Sequence, residues 1–330
     1  MTTTPLAARP GRAWWRVPPR HVPVLATAAL LLVMYSIGVS QYQAFSNIQV
    51  VFNVFIDNGF LLVVAVGMTF VILTGGIDLS VGSVVAMTAM VSASLLGNGL
   101  HPAVVLVIAL LIGPILGFAM GCVIHFFDIQ PFIVTLAGMF FARGVCTWIS
   151  TTSIPITDGF WTSTAQHRIH LGENFVSVGA LIAVGVVAVA AAVLAYTRLG
   201  RNVYAIGGNQ QSALLMGLPV GRTKIAVYTI SGLCSAIGGI LLSFYTLSGA
   251  PLIAVGMELD VIAAVVIGGT LLTGGSGYIF GTLLGVLVLS IIQTLITFDG
   301  TLNSWWTKIV IGGLLFVFIL LQRLVGIRTK

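Results

Sequence analysis

Ten apolar runs, each almost free of charge, follow one another along the chain at 22–40, 55–74, 79–97, 102–126, 131–150, 176–197, 224–247, 259–273, 278–298 and 305–322. A helix needs about 20 mostly apolar residues to cross a bilayer. The runs leave no stretch long enough for a sizeable soluble domain. Composition agrees: 58% of residues are hydrophobic and 7% charged, with a mean hydropathy of +1.11, whereas soluble domains carry about 25% charged residues. The expected fold is therefore all-α, a polytopic helical membrane protein of about ten transmembrane helices in one domain, 22–322. The runs 79–97 and 259–273 are the shortest of the ten, and some of the helices are expected to be broken or re-entrant.

Basic residues orient the bundle, because cytoplasmic loops are enriched in Lys and Arg. Arg9, Arg12, Arg16 and Arg20 precede the first run; Arg198, Arg201, Arg222 and Lys224 lie between the sixth and seventh; Arg323, Arg328 and Lys330 follow the last. Six runs separate the first two clusters and four the last two, so all three fall on the inner side. The reading is N-in and C-in. Residues 1–21 and 323–330 are then cytoplasmic segments, 198–223 a cytoplasmic loop, and 151–175, with Asp158, His167, Arg168, His170 and Glu173, an extracytoplasmic loop. A signal peptide also begins with basic residues before an apolar core, but small cleavage-site residues should follow that core. Here Ser40-Gln41-Tyr42-Gln43 follows, which favours a retained first span.

A sequence pI near 9.6 reflects these few clusters and few acids, not a nucleic-acid-binding face; the implied surrounding is a lipid bilayer. Cys122, Cys146 and Cys234 sit in apolar runs without metal or redox spacing and read as small core residues. The five histidines show no metal-ligand spacing. Neither a Gly-x-x-x-x-Gly-Lys-[Ser/Thr] phosphate loop nor a Gly-x-Ser-x-Gly nucleophile elbow occurs. The chain is expected to bind no nucleotide, metal or cofactor and to catalyse nothing by itself.

Glycines at 113, 117 and 121, and again at 277, 281 and 285, recur every fourth residue, the spacing that lets helix backbones approach closely. They read as packing ridges. Leu73-Thr74-Gly75-Gly76 is echoed by Leu272-Thr273-Gly274-Gly275, each with Gly-Ser or Gly-Thr six residues on. In this topology such a repeat is parallel.

Charges at membrane depth are costly and tend to pair or to line a polar route. Asp78 and Ser80 lie in Gly75-Gly76-Ile77-Asp78-Leu79-Ser80, Arg143 in the fifth run, and Glu258 and Asp260 at the head of the eighth. Paired glycines interrupt a helix, and Asp or Ser then suits the N-cap of the next. Asp78 is thus either a cap or a carboxylate facing a translocation path, and Glu258 and Asp260 carry the same ambiguity. Arg143 is expected to pair with a carboxylate, Asp78, Glu258 or Asp260 among them, or with backbone carbonyls. In the loop 198–223, Asn209 can cap a short helix over 210–216, with Gly217 ending it and Pro219 beyond. That helix leaves Leu214, Leu215 and Met216 to cover a partner's groove or the chain's own bundle.

Ala65–Leu73 leading into Gly-Gly-Ile-Asp-Leu-Ser, Thr135–Phe141 with Arg143-Gly144, Tyr204–Asn209, and Glu258-Leu259-Asp260 with Val265–Thr270 together resemble the permease subunits of ribose-type sugar ABC importers. The resemblance covers about 55–323. Phe298-Asp299-Gly300-Thr301-Leu302 and Trp305-Trp306-Thr307-Lys308 resemble the galactofuranose-importer branch in particular. The resemblance implies a bacterial inner-membrane subunit that forms half of a monosaccharide pathway. It also implies three partners: a cytoplasmic ATP-binding subunit, a periplasmic sugar-binding protein docking over 151–175 and the outer helix ends, and a second permease chain, in this branch a different one. The coupling helix that docks on the ATPase would comprise Gly208, Asn209, Gln210, Gln211, Ser212, Ala213, Leu214, Leu215, Met216 and Gly217. Gln211 stands where related permeases carry Glu, which removes a salt bridge there. The mechanism implied is alternating access driven by ATP. The rival from the residues alone is a proton- or sodium-coupled secondary transporter using Asp78, Glu258 or Asp260. A membrane enzyme is disfavoured, since no nucleophile, base or metal cluster is visible.

Overall fold

Small polar residues and prolines start most of the long helices. Asn47 accepts the N–H of Gln49 ahead of α2 (Ile48–Leu73), and His101 with Pro102 opens a later helix in the same way. The computed structural model describes residues 22–300 and 304–327. Arg9, Arg12, Arg16, Arg20, Arg328 and Lys330 lie outside the described residues, as do Thr301 and Leu302.

Along the chain α1 (Val22–Gln41) precedes α2, and then come α3 (Val81–Gly97), α4 (Pro102–Phe126) and α5 (Pro131–Ile149). The connection from α5 holds β1 (Ile154–Pro155), α6 (Gly159–Gln166) and the strands β2 (Arg168–Leu171) and β3 (Asn174–Ser177). Helices α7 (Val178–Tyr196), α8 (Arg198–Gly208), α9 (Gln210–Leu215) and α10 (Val220–Thr246) follow. After β4 (Ser248–Gly249) the chain ends in α11 (Met257–Ile267), α12 (Ile279–Asp299) and α13 (Ser304–Ile327). Eight of these helices are long and apolar enough to cross a membrane. α3 has 17 residues and α11 only 11, about 26 and 16 Å at 1.5 Å per residue. They correspond to the two shortest runs of the sequence, and α11 is too short to cross by itself.

α2 is the axis. From Asn58 to Leu73 every residue but Phe60 is buried, with Val63 to Val66 at 0% exposure. A helix apolar all round belongs inside a bundle. The first glycine ridge packs α4 on α10: a methyl group at Gly113 would collide with the Gly232 carbonyl, and one at Gly117 with that of Tyr228. The second packs α12 on α11, where Gly281 meets the Gly268 carbonyl and Gly285 that of Ala264. Both ridges build contacts between helices. α1 is tied to the bundle by Thr27, whose hydroxyl donates to the carbonyl of Ile267. The outer faces of α1, α4, α5 and α13 carry exposed Leu32, Val107, Phe140 and Phe316, the apolar surface a bilayer covers.

The segment 151–177 is ordered, and it is seated on one end of the bundle. β1 pairs with β4, Ile154 opposite Gly249. Trp161 of α6 is fully buried, and its indole N–H donates to Ser243 of α10 at 3.0 Å. Gln49 at the start of α2 exchanges two hydrogen bonds with the backbone of Phe175. At the opposite end lie α8 and α9. The sequence expected one short helix in a loop over 198–223, yet α8 fills the first half and α10 begins already at Val220. α8 was missed because it is amphipathic and surface-lying: Gly200, Val203 and Ile206 are buried while Arg198 and Arg201 are exposed.

Candidate functional site

Two stretches of non-helical backbone, 74–80 and 250–256, enter the bundle from opposite ends, and the second lies against the first turn of α3. Gly82 lies against the carbonyl of Ala254 and the carboxylate of Glu258, so that a Cβ there would sit 2.8 and 2.7 Å away. Irregular backbone inside a membrane requires protein partners for its polar groups, and the charged residues flagged in the sequence supply them. Asp78 is 1% exposed. One carboxylate oxygen accepts the Ser80 N–H at 2.9 Å and its hydroxyl at 2.6 Å; the other accepts the Ser231 hydroxyl of α10 at 2.7 Å. Asp78 thus holds the turn before α3 by a side-chain bond two residues on, while Ser80, the N-cap residue itself, makes no cap bond.

Arg143 of α5 donates to the carbonyls of Pro251 and Ile253 at 2.7 and 2.8 Å. Among the described residues it forms no ion pair with Asp78, Glu258 or Asp260. Glu258 sits over the first turn of α3, where the helix dipole favours a negative charge. Asp260 pairs with Lys308 of α13 at 2.5 and 2.7 Å. The five residues therefore do not converge on one site. Asp78, Ser80 and Arg143 brace the broken segments, Glu258 lies against Gly82, and of the five Asp260 alone lines an open cavity.

That cavity is a cleft of about 560 Å³ between α2, α10, α11 and α12, floored by Ile253, Ala254 and Val255 of the segment 250–256 and by Met257 of α11. Asn53, Asp57, Asn58, Tyr245, Gln293 and Thr294 face it. None was singled out from the sequence. The available signal was Asn53-x-x-x-Asp57, one helical turn apart on a helix that is otherwise apolar.

At the other end the two Leu-Thr-Gly-Gly stretches touch. The N–H of Gly275 donates to the Leu73 carbonyl at 2.9 Å, and Gly207 and Gly208 of α8 pack directly on this junction. Gly75, Gly274 and Gly275 take φ of 79, 86 and 76°, a region that favours glycine. The Tyr204 hydroxyl of α8 donates to the Gly277 carbonyl at 2.8 Å, and burial, with Tyr278 beside it, holds that phenol above its ordinary pKa. α9 projects from this clasp. Asn209 caps it by accepting the Ser212 N–H at 2.9 Å, and Gly217 ends it at φ 76°. Ala213 is buried, whereas Leu214, Leu215 and Met216 are 60%, 87% and 68% exposed. No group of histidine, cysteine or acidic residues fit to hold a metal occurs among the described residues.

A bundle with interrupted helices, a polar cleft at one end and a projecting apolar helix at the other has the form of a transport subunit. The family described as branched-chain amino acid transport system / permease component matches residues 50–319, and the chain belongs to it. It is similar to the inner membrane ABC transporter permease protein YjfF of Escherichia coli, 47% identical over 307 residues that cover 92% of each chain. The fructose import permease protein FruG of Bifidobacterium longum is 42% identical over 311 residues, 92% of this chain and 91% of that one. The ribose import permease protein RbsC of Escherichia coli is 38% identical over 282 residues, 85% and 87%. No solved structure matches. The protein is a multi-pass component of the bacterial inner membrane, and a transport subunit rather than an enzyme.

Proposed function

We propose that the chain forms half of the pathway of an ATP-driven monosaccharide importer, with a galactofuranose-like or ribose-like sugar as cargo. The observation that carries the reading is α9. Leu214 and Leu215 of this six-residue helix and Met216 at its C-cap stand free, directly after α8 with its exposed Arg198 and Arg201, a surface suited to a partner's groove. The inside placement of those arginines puts α9 in the cytoplasm, where an ATP-binding subunit would seat it. Closure of the ATPase pair would then move α9, and through Gly207 and Gly208 the clasp that joins the ends of α2 and α11. The segment 151–177, firmly anchored at the opposite end, offers the landing surface for a periplasmic sugar-binding protein. A second, related permease chain completes the pathway.

Leu214→Glu and Leu215→Glu tests this directly. Both positions are exposed, so membrane insertion should persist while ATPase copurification and sugar uptake fall at least tenfold. Uptake at the wild-type rate removes the coupling assignment.

A further inference from the structure

We propose that the cleft between α2, α10, α11 and α12 is a subsite for a neutral sugar inside a single permease chain, which rests on the importer reading above. Its volume, about 560 Å³, lies within the roughly 300–1,000 Å³ of small-molecule sites. Its polar side chains are unspent. Asn58 is 8% exposed, faces the cleft, and its amide has no hydrogen-bond partner among the described residues, nor has the side-chain amide of Gln293 across from it. Both amides are reached from the open cleft and pair with no protein group among the described residues, so an occupant carrying donors and acceptors can bond to them.

Asp57 adds the second element. It lies nine residues into α2, about 14 Å along the axis, and its side chain opens into the cleft. Its one partner is the Tyr245 hydroxyl, which donates at 3.3 Å, and among the described residues no cation pairs with it. A carboxylate at this depth demands a polar surrounding. Two oxygens with free lone pairs suit the adjacent hydroxyls of a sugar ring, and the amides of Asn58 and Gln293 can both donate and accept. Phe298 and Tyr245 supply aromatic faces to the same space. The nearby Asp260 is neutralised by Lys308, leaving Asp57 as the unmatched charge. The cleft therefore favours a neutral polyol and repels uronates and sugar phosphates.

The test uses the complete importer, purified without its binding protein. Saturation-transfer NMR is recorded with millimolar D-ribose, D-fructose, D-galactose and D-galacturonate. At least one neutral sugar should give a signal and galacturonate none. Asp57→Asn and Gln293→Ala should each reduce the neutral-sugar signal fivefold or more, and Asp57→Asn should let galacturonate in. The isosteric exchange at Asp57 and the half-exposed position of Gln293 keep folding intact, which the elution profile checks. In proteoliposomes with loaded binding protein, Asp57→Asn should lower uptake about tenfold while stimulated ATP hydrolysis stays within twofold. Unchanged NMR signals and uptake in both variants overturn the subsite and leave the importer reading standing. A wild-type complex that retains no ATPase and takes up no sugar overturns the importer reading itself.

Discussion

Asp78 and Arg143 show how single residues make a broken helix tolerable in a membrane. The carboxylate of Asp78 receives three donors, and the guanidinium of Arg143 closes two carbonyls left open where 250–256 is unwound. Leaving a buried polar group without its partner costs about 1–3 kcal/mol, more when it is charged. Arg143→Met should accordingly lower the thermal stability of the detergent-solubilised protein and its transport together, and Arg143→Lys should recover only part, since a point charge does not replace a two-pronged donor. Asp78→Asn is expected to reduce folded yield and transport in parallel, because an amide nitrogen would face the Ser231 or Ser80 hydroxyl. Transport lost at full folded yield, read by size-exclusion fluorescence, would instead give Asp78 a role in the pathway.

Among the elements, the clasp of α8 with the two Leu-Thr-Gly-Gly turns is the one whose geometry leaves least room. A side chain at Gly207 would collide with the Leu73 carbonyl and the backbone of Gly275. Gly207→Val should separate α8 from the clasp and reduce ATP-coupled uptake severely. If α8 is only the mount for α9, ATPase copurification will survive this change, and loss of copurification would show that the clasp holds the docking surface itself. The ion pair between Asp260 of α11 and Lys308 of α13 is a second link between elements. Asp260→Lys should weaken the attachment of α13, and the double exchange Asp260→Lys with Lys308→Asp should restore most of the lost melting temperature. A double variant no better than the single one would show the pair to be incidental. Half-exposed pairs contribute little, about 0–1 kcal/mol, so the expected shift is a few degrees at most.

For the whole molecule we propose a passive half-pathway, with energy entering at α9 and selectivity resting partly in the cleft and partly in other chains. Uptake by the reconstituted complex should stop when the ATPase is inhibited with vanadate and should persist under a protonophore. The reverse pattern would revive the proton-coupled rival, with Asp78, Glu258 or Asp260 as its acid. Introducing single cysteines at Leu215 and at Phe160 and labelling them from each side of the membrane should place them on opposite faces, which tests the orientation drawn from the basic clusters.

Much of this was readable along the chain. Hydrophobic runs, glycine ridges, the Asn209 cap and the Gly217 stop are local features, set by the cost of exposing backbone in lipid and by the conformations that glycine alone takes without strain. The sequence also marked 79–97 and 259–273 as the shortest runs, by length alone, and α11 has only 11 residues. Convergence was not readable. Of the residues picked from their cost in a membrane, Asp78 bonds Ser80 and Ser231, Arg143 bonds two carbonyls and Asp260 pairs with Lys308, because a buried polar group is satisfied by whichever partner the packing brings near, at 153 residues' separation for Asp78 and Ser231. The cleft is the converse case: Asp57, Asn58, Tyr245 and Gln293 look ordinary in their own helices, and only the packing of α10, α11 and α12 around α2 turns them towards one space. Chain-local periodicity determined that this is a membrane bundle with interrupted helices; which polar groups share a cavity was decided by tertiary contacts that no local pattern encodes.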